Sequence, residues 1–127
     1  GVVSIFSKRI LKNEQPIING DGTQTRDYVF VEDVVQANLL ATEKDVIGAF
    51  NIGTGIETDV NQIFRLVNED FGTDWKEVYG PPRPGEQKTS SLSFQKAKDI
   101  LGWEPTVTIE EGIKKTVEWF KSHPERI

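Results

Sequence analysis

The sequence predicts a small mixed α/β domain in which a βαβ unit with parallel strands packs among several helices. Three observations predict it. Apolar residues recur at helical spacing in separate stretches, and short strand-like apolar runs lie between them. In the middle of the chain a strand, a glycine turn, a helix and a second strand follow one another directly. A length of 127 residues with 36% hydrophobic content suffices for one core and not for two full domains.

Val3, Phe6 and Ile10 stand three and four apart, with Val2, Ile5 and Leu11 beside them, which predicts a first helix ending near Asn13, before Pro16. Ile17-Ile18 predicts a short strand. The polar, glycine-rich stretch from Asn19 to Thr25 predicts a loop, and Tyr28-Val29-Phe30-Val31 a second short strand. Helical spacing resumes from Asp33 to Thr42 through Val34, Val35, Leu39 and Ala41. Ala49 to Ile52 then predicts a strand, Gly53-Thr54-Gly55 a turn, and Val60, Ile63, Phe64, Val67 and Phe71 one face of a helix. Asp59 is placed to cap that helix, with Gln62 three residues on, and Gly72 to close it. Trp75 to Tyr79 completes the unit as a second strand, and the connection length predicts a right-handed crossover. The run Gly80-Pro81-Pro82-Arg83-Pro84-Gly85-Glu86 predicts a loop stiffened by proline rings. Ser93 is placed to cap a short helix through Phe94, Ala97 and Leu101 that Gly102 stops. Thr108 with Glu111 opens a last helix through Ile113, Val117 and Phe120 that runs until Pro124.

Charge and composition narrow the function. A net charge of −5, without a Lys/Arg run, argues against a nucleic-acid binder, whose affinity comes from clustered cations. No Cys and a single His exclude four-ligand zinc sites, iron–sulfur clusters, catalytic thiols and disulfides, and no motif points to a metal. No apolar run approaches the ~18 residues of a membrane span, so neither nucleic acid nor membrane is an expected partner and the cytoplasm is the expected setting. A chain that opens on Gly1 and has no Met is expected to be a processed product or an excised piece of something longer.

Gly53-x-Gly55 follows a strand and precedes a helix, as a dinucleotide-binding turn would. Thr58 stands where a third glycine is needed and no acidic residue ends a strand about twenty residues on, so the segment reads as a tight turn. His123, in a terminal Ser-His-Pro, reads as a solvated helix end, so no nucleophilic triad is at hand. A Tyr with Lys four residues on, suited to hydride chemistry on alcohols, is absent, since Tyr28 leads to Glu32 and Tyr79 to Arg83. The chain therefore shows no catalytic centre of its own.

Arg26, between the glycine-rich loop and an apolar strand, and Arg83, held between prolines, are the candidate binding groups. A guanidinium offers paired donors to phosphate oxygens, so the two suit a diphosphate clamp over which the loop folds. Structural ion pairs, for instance of Arg26 with Asp27 or Asp33, are the reading that spacing alone favours. Glu86 suits the vicinal hydroxyls of a ribose, or neutralises Lys88. Tyr28 and the backbone of Ile17, Ile18 and Asn19 suit a flat base, or form an ordinary strand pair.

These segments also form a pattern. Gly20 to Val34, Asn51-Ile52-Gly53-Thr54-Gly55, Arg83-Pro84-Gly85-Glu86, Leu101-Gly102-Trp103-Glu104-Pro105 and Glu110-Glu111-Gly112 together resemble the C-terminal part of NAD-dependent nucleotide-sugar epimerases and dehydratases. These are the extended short-chain dehydrogenase/reductases, and the UDP-glucose 4-epimerase branch is the most similar. The resemblance implies that residues 1–127 form a substrate-binding region whose partner is a UDP-sugar. Arg26 and Arg83 would hold the diphosphate, Glu86 the ribose, Tyr28 a place near the nucleotide, and Ile17, Ile18 and Asn19 the uracil. It further implies that NAD belongs to the intact enzyme, in a Rossmann domain that this chain lacks, so that the chain alone neither holds NAD nor transfers hydride. A nucleotide-sugar dehydratase or UDP-glucuronate decarboxylase fragment, or a stand-alone nucleotide-sugar binding module, are the alternatives. Exposed apolar surface where the other domain docks, and self-association through it, are expected.

Overall fold

The computed structural model describes residues 1–126. Three helices form the main core: α1 (Val2–Leu11), α3 (Val60–Asp70) and α5 (Ile109–Ser122). Each turns its apolar stripe inward, so Phe6, Ile63, Phe64, Val67, Ile113 and Val117 are buried together. Phe6 and Phe64 meet edge to face with ring centroids 5.6 Å apart, the arrangement that aromatic quadrupoles prefer. The caps predicted for α3 and α5 are in place. Asp59 accepts from the Gln62 amide at 2.8 Å to start α3, and Thr108 Oγ1 accepts from the Glu111 amide at 3.2 Å to start α5.

A second cluster joins α2 (Val31–Lys44) to α4 (Gln95–Leu101) through Ala37, Ala97, Leu101 and Trp103. Asp33, in the first turn of α2, is buried and spans the gap between the two clusters. Its backbone oxygen accepts from Trp103 Nε1 at 2.8 Å, while its carboxylate accepts from the amides of Thr106 and Val107 and from Thr106 Oγ1. The first turn of α2 thereby grips the segment that leads into α5. Among the described residues no helix is long and apolar enough to cross a membrane.

Two short ladders complete the α/β frame. β1 (Ile18–Asn19) lies parallel to β4 (Tyr79–Gly80), pairing Ile18 with Tyr79 and Asn19 with Gly80. β2 (Thr25–Arg26) lies antiparallel to β3 (Thr58–Asp59). The parallel pair spanned by helices is thus present, but its first strand is Ile18–Asn19 and not Ala49–Ile52. Phe50 and Ile52 do pack on the second cluster, yet their backbone stays outside both ladders because no neighbouring strand runs beside it.

Tyr28–Val31 likewise forms no strand. Its β-branched and aromatic residues suggest one, but Phe30 is already the extended N-cap of α2 and receives the Asp33 and Val34 amides. The cap of α4 falls on Phe94, one residue after Ser93, whose hydroxyl accepts from the Gln95 amide at 3.3 Å. His123 caps the C-terminus of α5 and stacks on Trp119 at 4.4 Å, as a helix-end residue.

Candidate functional site

The parallel β1–β4 ladder stops at Asn19 and Gly80, and the chain diverges there on both sides. A cleft of about 730 Å³ opens between the glycine-rich loop and the proline loop, lined among others by Asn19, Asp21, Tyr79, Pro82, Arg83 and Glu86. A recess of about 410 Å³ adjoins it and shares Asn19, Gln24, Arg83 and Glu86. Its far wall is apolar, made by Val2, Ile5 and Phe6 of α1 together with Ile17, Tyr28 and Val60.

Six of the seven residues singled out from the sequence line this space: Arg26, Arg83, Glu86, Tyr28, Ile17 and Asn19. Ile18 does not. Its side chain is fully buried in the main core, and its amide donates to Val78 O at 2.9 Å, because the alternation of a strand sends Ile17 and Asn19 to one side and Ile18 to the other. Arg26 pairs with neither Asp27 nor Asp33. It faces Glu86 at 3.5 Å and donates to the carbonyls of Gln87 and Thr25, each at 2.6 Å. Glu86, correspondingly, takes Arg26 rather than Lys88 as its partner. None of the ion pairs among the described residues involves Arg83, which leaves its donors facing the cleft.

The sequence suggests a glycine-rich loop that moves over a ligand, but that loop is pinned. The Asn61 amide donates to Gly22 O and Asn61 Nδ2 to Asp21 O, both at 3.1 Å, while Gln24 Nε2 bonds Asn19 O and the Gly20 amide bonds Gly80 O. Gly22 has φ +74, and a Cβ there would sit 2.2 Å from Asn61 Oδ1, so the close approach of loop to α3 demands glycine. Tyr79 holds Asn61 in place by donating its hydroxyl to Asn61 Oδ1 at 2.8 Å. Tyr79, Gln24, Asp21, Pro82 and Lys88 are the lining residues that sequence reasoning missed; the one available signal was their position inside or beside segments already suspected.

Electrostatics follow from these contacts. Hydrogen bonds from the Thr23 hydroxyl and amide, with Lys88 adding to them, lower the Asp21 carboxyl to about 2. Burial pushes the Tyr28 phenol up despite the nearby Arg26, so it stays a neutral donor at physiological pH. Burial alone would raise the Asp27 carboxyl. Bonds from Thr54 Oγ1 and from the amides of Leu92, Thr54 and Gly55 outweigh it and hold the group below the usual range. Those same bonds decide the Gly53-Thr54-Gly55 turn. Its amides, the groups that would cradle a pyrophosphate, already point at Asp27 from 2.9 to 3.0 Å, so the turn does not fit NAD.

A mixed α/β frame with this motif order matches the C-terminal part of a known enzyme family. The chain belongs to the NAD-dependent epimerase/dehydratase family of extended short-chain dehydrogenase/reductases: the family model described as GDP-mannose 4,6 dehydratase matches residues 2–116. It is 45% identical over 125 residues to a protein described as a putative UDP-glucose 4-epimerase of Methanocaldococcus jannaschii, covering 97% of this chain and 40% of that one. The crystal structure of UDP-glucose 4-epimerase with UDP-glucose from Thermotoga maritima superposes with a TM-score of 0.93 at 54% identity, over 98% of this chain and 40% of that one. For the Thermus thermophilus UDP-glucose 4-epimerase in complex with NAD the TM-score is 0.86 at 37% identity, over 94% and 40% of the respective chains. The chain thus spans about two fifths of the length of these relatives.

Proposed function

We infer that this chain forms the part of an NAD-dependent UDP-hexose 4-epimerase that holds the nucleotide. The observation that carries the reading is the convergence of Arg26, Arg83 and Glu86 on one recess from segments far apart in sequence. Two guanidinium groups present the fork geometry that a diphosphate takes, and the carboxylate beside them accepts from ribose hydroxyls. Tyr28, Ile17 and the backbone around Asn19 offer a flat, partly apolar wall for a pyrimidine. Every contact so named goes to the nucleotide and none to the hexose. A diphosphate fixed in this way leaves the sugar free to present either face to chemistry carried elsewhere, as a 4-epimerase requires. NAD and the proton-transferring residues belong, on this reading, to the remainder of the enzyme. The exposed face of α2, with Val31, Val35 and Leu39 uncovered, is where that remainder packs.

Calorimetric titration of the chain with UDP tests the clamp. Arg26→Ala and Arg83→Ala are each expected to weaken binding about tenfold, the loss typical of a hydrogen-bonded charge. Equal affinity in all three proteins removes the clamp. Nucleotide-sugar dehydratase is the second reading, favoured by the description of the matching family model. An assay of the whole enzyme with UDP-glucose separates the two, since epimerisation yields UDP-galactose and dehydration a 4-keto-6-deoxy sugar.

A further inference from the structure

The two loops that face each other across the cleft are built differently. The glycine-rich loop is a post, bonded to α3 through Asn61 and to β4 through Gly80. The segment from Pro81 to Lys88 is a strap. Its residues are all exposed, it belongs to no helix or strand, and Gly85 turns it at φ +73 with nothing within 4 Å of where a Cβ would stand. Arg83 and Glu86 both ride on this strap. Its far end is attached to the post at one place, where Lys88 O accepts from the Thr25 amide at 2.8 Å and Lys88 Nζ reaches Thr23 Oγ1 and, at 3.5 Å, Asp21 Oδ1.

We propose that Lys88 is a positioning residue: by tying the strap to Asp21 and Thr23 it sets where Arg83 and Glu86 stand in the cleft, and so how tightly the nucleotide diphosphate is held. The proposal rests on the nucleotide-holding reading above. Arg26 also holds the far end of the strap, through Gln87 O and Glu86, but an incoming diphosphate competes for that same guanidinium. The Lys88 tether, by contrast, uses no atom of the two clamp arginines.

Asp21 makes the idea testable by sign. As a bare charge, a carboxylate in the wall of an anion site repels a diphosphate, so its removal should tighten binding. As an anchor for the strap, its removal should weaken binding. UDP titration of the unsubstituted chain, Lys88→Met, Lys88→Arg, Asp21→Asn and the double variant Asp21→Asn/Lys88→Met, at low and high salt, reads the difference. The tether predicts about two- to fivefold weaker binding for Lys88→Met and for Asp21→Asn, the range of an exposed charged pair. It further predicts recovery in Lys88→Arg, a double variant no worse than either single one, and a smaller gap at high salt. Amide exchange at Thr25 gives a readout without ligand, and it should quicken in Lys88→Met.

Tighter UDP binding by Asp21→Asn, or unchanged Thr25 exchange in Lys88→Met, overturns the tether while leaving the clamp intact. No UDP binding by the unsubstituted chain removes the nucleotide reading and the tether with it. A Lys88→Met effect without any Asp21→Asn effect would make Lys88 a direct ligand contact and also overturns the proposal.

Discussion

Asp27 lies between Arg26 and Tyr28 on an extended stretch, where successive side chains point to opposite sides. Its carboxylate reaches Thr54, Gly55 and Leu92, so its neighbours on either side are turned toward the recess. Asp27→Ala leaves those amides without partners and is expected to cost about 2–3 kcal/mol in urea unfolding. The pH dependence has a definite sign. The folded carboxyl lies below its unfolded value, so its contribution is complete above about pH 5 and is lost as pH falls through the folded value. Asp27→Ala should therefore flatten the acid limb of the stability curve. Asp70 works in the other direction. Burial raises its carboxyl, and its Oδ2 has no partner, so the folded chain favours the protonated form and loses that stability as pH rises through the raised value. Asp70→Asn should stabilise the chain at neutral pH by less than about 1 kcal/mol, and not at pH 3, as thermal melts at the two pH values would show.

At the scale of elements, helix starts test how far local sequence reaches. Asp59→Ala removes the side-chain acceptor at the start of α3 and should cost about 1 kcal/mol in the same unfolding assay. That cap, the α5 cap and the apolar stripes of α1, α3 and α5 are legible in the sequence because each depends on residues three or four apart. The strands were not. Ladders two residues long carry almost no period, and Ala49–Ile52 has the alternation of a strand while lacking a backbone to pair with. The site was legible as far as its loops. Arg26, Arg83 and Glu86 stand out for their punctuation by Gly and Pro, whereas the Arg26–Glu86 pair and the Lys88 tether join residues distant in sequence and leave no local trace. Ile18 is set apart from Ile17 and Asn19 only by the side it faces, which a strand of two residues does not announce in its sequence.

The whole molecule is two cores joined through Asp33. Trp103 sits in the smaller one and Trp75 beside the larger, and the Asp33 carboxylate is the link to the segment that enters α5. Asp33→Ala should therefore do more than lower stability. Fluorescence from Trp103 is expected to change at lower urea than the helical circular dichroism signal, whereas coincident curves in the variant would show that the apolar contacts alone keep the cores together. The Gly48–Ile52 stretch bears on how the chain behaves among its own copies. It is uncharged and free of proline, and it lies outside both ladders beside the fully exposed Ile47. An unpaired stretch of that kind is a template for another extended peptide, so Asn51→Lys is expected to raise the concentration at which light scattering first shows aggregates.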